Sequence, residues 1–181
     1  DLVGEFIGHT AQKTRDLVKK ALGGILFIDE AYSLARGGEK DFGKEAIDCL
    51  TKSLEDYGNE FVCIIAGYNE EMDSFLELNP GMPSRFPVHI KFTDYDADEL
   101  MEIAHLMSKN KEYELSKDAS EKLRRRVTAA LNDPFVENFS NARFVRNNIE
   151  KAIRVQAVRL LKVYEPTKED LLTLKSEDFT I

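Results

Sequence analysis

The chain has 181 residues, 43% hydrophobic and 32% charged, with a formal net charge of −8, which is room for one good-sized domain or two small ones. The acidic balance argues against nucleic acid or an anionic membrane as partner, and the longest apolar runs fall far short of the ~20 residues that span a bilayer. Cys49 and Cys63 are the only cysteines, each inside an apolar pattern, as expected of reduced core residues in a cytoplasmic protein. His9, His89 and His105 are scattered and share no metal-ligand spacing.

In chain order, residues 11–22 read as a helix with Leu17, Val18, Ala21 and Leu22 on one face, ended by Gly23-Gly24. Ile25 to Asp29 is a short continuous apolar run, the pattern of a strand buried on both faces in a parallel sheet. Residues 44–57 are amphipathic, with Ile47, Leu50, Leu54 and Tyr57 in register, and 61–68 read as a second buried strand. Residues 72–78 look helical, and Val88 to Phe92 is a third strand candidate. Beyond Asp94 the strand signals fade. Helical periodicity covers 96–107, 117–131 and 141–163, the last with Val145, Ile149, Ala152, Gln156 and Leu160 in one stripe. The layout predicts an α/β part over 1–92 and a helical part over 93–181.

The run "ILFIDEAY" places Asp29 and Glu30 at the end of an apolar strand. A buried carboxylate without a partner is costly, so a cation is expected beside them. A strand-terminal Asp suits Mg²⁺ bridging phosphate oxygens, and a following Glu can serve as general base. Successive strand side chains point to opposite faces, so both acids can work on one ligand only if the chain turns away at this point. Asn69 leaves the second strand, either to hold a water or to cap the next helix. Arg85 stands in the Pro-rich turn "NPGMPSRFP", suited to a neighbouring subunit's phosphate or left solvated. In "FSNARFVRNNIE", Ser140 or Asn141 caps a helix with Arg143 in its first turn. Cations are disfavoured there, so an anionic partner is expected: a ligand, or an acid such as Glu137 or Glu150.

Taken together, "DLVGEFIGHT", "GGILFIDEAYSLARGGEKDFGKEAID", "IIAGYNEEMD", "NPGMPSRFP" and "NARFVRN" resemble, in order and spacing, the AAA+ ATPases, and within them the family of stage V sporulation protein K and red-type Rubisco activase. The resemblance implies an α/β fold, a partial AAA+ parallel-sheet subdomain followed by an all-α lid. It implies Asp29 and Glu30 as the Walker B pair, with Asp29 on the metal, Asn69 as sensor 1, Arg85 as a trans-acting arginine finger and Arg143 as sensor 2. Phe6, Ile7 and Gly8 correspond to a pore loop that grips a polypeptide. ATP and Mg²⁺ are the implied cofactors, a homo-oligomeric ring, a hexamer, the implied assembly, and sporulation the implied setting. The phosphate-binding G-x-x-x-x-G-K-S/T is absent. "GEKDFGKE", Gly38 to Glu45, matches its spacing but puts Glu45 in place of the hydroxyl and Glu39 and Asp41 where phosphates would sit.

The chain therefore reads as an N-terminally truncated module that does not itself bind nucleotide. A gap left mid-sheet would expose apolar surface and unpaired backbone, with the lid more intact. The alternative is a nucleotide-independent interaction or assembly module.

Overall fold

The computed structural model describes residues 9–36, 42–133 and 139–180, in two compact units, Asp1–Lys91 and Phe92–Ile181. Phe6, Ile7 and Gly8 lie outside the described residues.

In the first unit, α1 (His9–Ala21) buries Thr10, Thr14 and Val18, one residue per turn, and packs on α2 (Phe42–Tyr57). Gly23, at φ +77°, turns the chain out of the helix as an L-residue could only with strain. The Gly24 carbonyl then accepts Val62 N at 3.0 Å, opening the parallel ladder between β1 (Ile25–Ile28) and β2 (Val62–Ile65). A 3-10 segment, Ala31–Arg36, leads towards α2. Gly43 there is obligatory for packing, because a Cβ would overlap the Leu34 carbonyl. Then come α3 (Asn69–Glu77) and the single turn α4 (Met82–Arg85). Their core comprises Val18, Ile28, Tyr32, Ile47, Leu50, Phe75 and Met82.

Two expectations are corrected here. The strands are buried on one face only: Ile28 is buried, while Phe27 is 59% exposed and Ile25, Val62 and Ile64 share its bare face. A continuous apolar run shows that both faces can be covered, not that cover is at hand. Val88 to Phe92 forms no ladder, and its apolar residues stand exposed, Phe92 at 89%. A strand exists only through a neighbour's hydrogen bonds, and among the described residues none is offered to this segment or to the far edge of β2. The bare face should drive self-association. Phe27→Lys with Ile64→Lys should shift the chain towards monomer in sedimentation velocity while changing stability by no more than about 0.5 kcal/mol each; unchanged association would acquit this face.

The second unit is built from α5 (Ala97–Asn110), α6 (Lys117–Leu131) and α7 (Asn141–Leu160). Asp96 caps α5 in a reciprocal box with Glu99, and the Ser116 hydroxyl accepts Ala119 N at 3.1 Å to start α6. The predicted α7 stripe is buried at Val145, Ile149, Ala152 and Gln156, against Leu100, Ala104, Leu123 and Val127. The chain then folds back through α8 (Lys168–Leu172). A two-residue parallel bridge, β3 (Glu114–Leu115) to β4 (Thr173–Leu174), joins it to the helices.

Polar groups fasten this return. Gln156 Nε2 lies 3.0 to 3.2 Å from the carbonyls of Asp170, Leu171 and Thr173. Asp178, fully buried, takes a two-pronged contact from Arg159, Nε at 2.8 Å and Nη2 at 3.0 Å, and also accepts Lys175 N. That hydrogen bond raises the Arg159 pKa above its ordinary value. The Lys175 and Thr167 side chains hold the Asp170 carboxyl down at about 2. Both cysteines are free, and burial pushes the Cys63 thiol up to about 11. Among the described residues no helix is long and apolar enough to cross a membrane.

Candidate functional site

The ladder between β1 and β2 continues past Ile28 but leaves two residues out. Ile28 O accepts Ala66 N at 2.9 Å, and Ala66 O accepts Ala31 N at 3.0 Å. Asp29 and Glu30 bulge outward between these bonds. The chain achieves this with Glu30 at φ +48°, in the left-handed region that non-glycine residues avoid. Glu30 N donates to Asp29 Oδ1 at 3.0 Å and Ser33 N to Glu30 O at 2.8 Å, fixing the turn. The expected turn after the strand is therefore present. The expected burial is not: both carboxylates are solvent-exposed, so desolvation does not demand a cation beside them.

Asn69 leaves the adjacent strand end, in the register that pairs Ile28 with Ile65. It is the first residue of α3, after Tyr68 at the cap position, so its side chain does not cap the helix. Its amide makes no hydrogen bond with a described residue and is exposed. The exit is stiffened by Tyr32, whose ring centroid lies 6.3 Å from that of Tyr68. Gly67 makes room for this, since a Cβ would come within 2.7 Å of Tyr32.

Asp29, Glu30 and Asn69 thus share the C-terminal edge of a parallel pair, the edge where α/β folds take ligands. Two exposed carboxylates without an ion pair among the described residues fit Mg²⁺, which keeps several waters and takes one or two carboxylates with substrate phosphates. Among the described residues no three or more acidic, His or Cys side chains are grouped so as to hold a metal ion between them. The phosphate-loop look-alike, Gly38 to Glu45, is described only in part. Its described part, Phe42 to Glu45, is the first turn of α2, and Gly43 serves the contact with Leu34.

Arg85 departs from the exposed turn that was expected. Its side chain is only 23% exposed and donates Nη2 to Glu55 Oε2 at 2.6 Å and Nη1 to Gly81 O at 2.9 Å. Gly81 leaves space for the guanidinium, which a Cβ would crowd at 2.6 Å. Arg143 is in the first turn of α7 in the second unit, exposed like Arg146. The anticipated protein anion is not found: among the described residues the Arg143 side chain makes no hydrogen bond or ion pair. Glu150 pairs instead with Lys111 at 3.9 Å, and Glu137 lies outside the described residues. Ser140 holds the N-cap position but makes no capping bond.

One residue of consequence escaped the motif reading. Asn141, taken as a candidate cap, spends its side chain on the segment before α5, a tie across more than 40 positions that no local pattern announces. A cleft between α1 and α2 lies away from the acidic pair, and its charges are of both signs: Arg15, Lys19 and Lys52 with Asp48 and Asp56.

A family model described as "ATPase family associated with various cellular activities (AAA)" matches residues 1–94, and one described as "AAA lid domain" matches residues 96–181. The chain belongs to the AAA family. It is 61% identical to stage V sporulation protein K of Bacillus subtilis (strain 168) over 181 residues, covering 100% of this chain and 56% of that protein. It is 41% identical to the chloroplastic ribulose bisphosphate carboxylase/oxygenase activase of Cyanidioschyzon merolae (strain NIES-3377 / 10D), covering 98% of this chain and 61% of that one. The chain therefore spans somewhat more than half the length of these relatives. In fold it is similar to the crystal structure of the FIGL-1 AAA domain, with a TM-score of 0.63 at 15% identity, over 97% of this chain and 56% of that one.

Proposed function

We propose that this chain carries the hydrolytic strand edge and the lid of an ATPase that works on polypeptides as a ring of identical subunits, a hexamer. The observation that carries this reading is the acidic pair lifted out of the ladder by Glu30's positive φ, beside the strand exit bearing Asn69. Mg²⁺ bound with ATP supplies charge neutralisation at the phosphoryl oxygens. Asp29 would hold that ion, Glu30 would take the proton of the attacking water, and Asn69 would orient that water. Arg85 exchanges Glu55 for the phosphate of a neighbouring subunit, and Arg143 meets the nucleotide's anionic end from the lid.

The reading places the phosphate cradle in the portion of the relatives' length that this chain does not span. Phe6, Ile7 and Gly8 are assigned to gripping the polypeptide in the ring's pore. Kinship with stage V sporulation protein K supports a sporulation-related role, and kinship with an activase of a carboxylase supports a protein as substrate.

Mixed rings test this. In the complete protein, Arg85→Ala should lower ATP turnover by roughly 10³ or more. Wild-type subunits added in increasing ratio should rescue more activity than their own share supplies. Unchanged turnover in the pure variant, or activity merely proportional to the wild-type fraction, would return Arg85 to its bond with Glu55.

A further inference from the structure

The start of α7 is held in an unusual way. Asn141 sits at φ +43°, where glycine would fit with less strain, but its side chain makes three hydrogen bonds that glycine could not. Asn141 Nδ2 donates to Asp94 Oδ1 at 2.6 Å and to Phe139 O at 3.1 Å, while its Oδ1 accepts Tyr95 N at 3.0 Å. Asp94 and Tyr95 directly precede Asp96, the cap of α5, in the stretch that joins the second unit to the first in sequence. The Phe139 and Phe144 rings, 5.4 Å between centroids, pack behind the same turn. Ser140 adds no capping bond, so the side chain that ties this turn to another part of the unit is that of Asn141. Two residues on stands Arg143, exposed, its side chain without a hydrogen-bond or ionic partner among the described residues.

We infer that Asn141 is a positioning residue for Arg143. By locking the first turn of α7 to residues 94 and 95, it sets the direction in which the Arg143 guanidinium leaves the helix, and it couples that direction to the stretch joining the two units. This rests on the proposed role of Arg143 towards nucleotide. Arginine's long side chain gives it reach but many rotamers, so its aim depends on where its Cα is held. Asn tolerates the left-handed conformation better than other residues with side chains, which allows one position to supply both the turn and the clamp.

The test is a cycle of variants in the complete protein, reading kcat and KM for ATP at a temperature where all are folded by circular dichroism. Arg143→Ala should lower kcat/KM about tenfold, the range for one charge-assisted hydrogen bond. Asn141→Gly, which keeps the backbone conformation and removes the clamp, should reproduce most of that loss. The double variant should be no worse than Arg143→Ala alone, because both changes remove one function. A purely structural role would instead lower the melting temperature and leave kcat and KM intact, or multiply with Arg143→Ala.

Asn141→Asp, which sets a second carboxylate against Asp94, should lose activity in the same way and recover on adding Asp94→Asn. If Arg143→Ala is fully active, the nucleotide role of Arg143 falls and the positioning role with it. If Arg143→Ala is impaired while Asn141→Gly matches wild type, the positioning role alone is overturned.

Discussion

Glu30→Gln in the complete protein should still bind ATP but hydrolyse it about 10²- to 10⁴-fold more slowly, the usual contribution of a positioned general base. The amide keeps the size, the exposure and the backbone strain of the native residue, so what it removes is the ability to accept a proton. Asp29 remains available to the ion, and affinity for the nucleotide should hold. Glu30→Gly separates chemistry from folding. Glycine adopts φ +48° freely, so relief of left-handed strain, less glycine's greater unfolded freedom, should raise stability by about 0.5–1 kcal/mol while turnover is equally lost. Opposite signs for stability and activity at one position mark a strain retained for function. Single-turnover hydrolysis and thermal melts check both arms. Normal turnover in Glu30→Gln would sink the base assignment.

Asp178→Asn should be the most damaging isosteric change in the lid. The carboxylate is fully buried, and Arg159 and the Lys175 amide all donate to it. Neutralising one member of a buried pair leaves the other charge uncompensated, at about 3–5 kcal/mol. Arg159 keeps Glu177 at 3.3 Å, which places the expected loss near the lower end, about 3 kcal/mol. For a unit of this size that corresponds to a fall of roughly 12–24 °C in melting temperature. Hydrogen exchange should report it first in α7 and in residues 174–180. Replacing both partners by apolar residues, Asp178→Leu with Arg159→Met, should recover at least half, since the desolvation cost then disappears. A shift of less than about 3 °C in Asp178→Asn would show the pair to be dispensable.

What could be read in advance was local. The bounds of α6 match the periodicity of residues 117–131, helped by Ser116 at the cap and Asn132 at its end. The α7 stripe was visible because a 3.6-residue period survives any tertiary context. The turn after β1 was legible as well, because two adjacent acids cannot face one ligand from a regular strand. What failed depended on partners distant in sequence. The bare face of β1 and β2 reflects which elements are present to cover it, and apolar composition is silent on that. The pairing of Arg85 with Glu55 spans 30 positions, and the clamp of Asn141 on Asp94 spans 47. Side-chain reach across such separations leaves no periodic trace. The exposure of Asp29 and Glu30 was misjudged for a related reason: an apolar run predicts the burial of its own residues, not of the bulge beyond it.

The way the second unit is closed has a bearing on synthesis. Leu174 and Phe179 fill its core, and Asp178 locks it. The three helices can form as they emerge from the ribosome, but their shared interior stays open until residue 179 is out. At 5–20 residues per second, the roughly 90 residues between the end of the first unit and Phe179 take about 4–18 s to make. The nascent chain thus has a defined window in which chaperone binding would matter most, and it closes only with the last few residues of the lid.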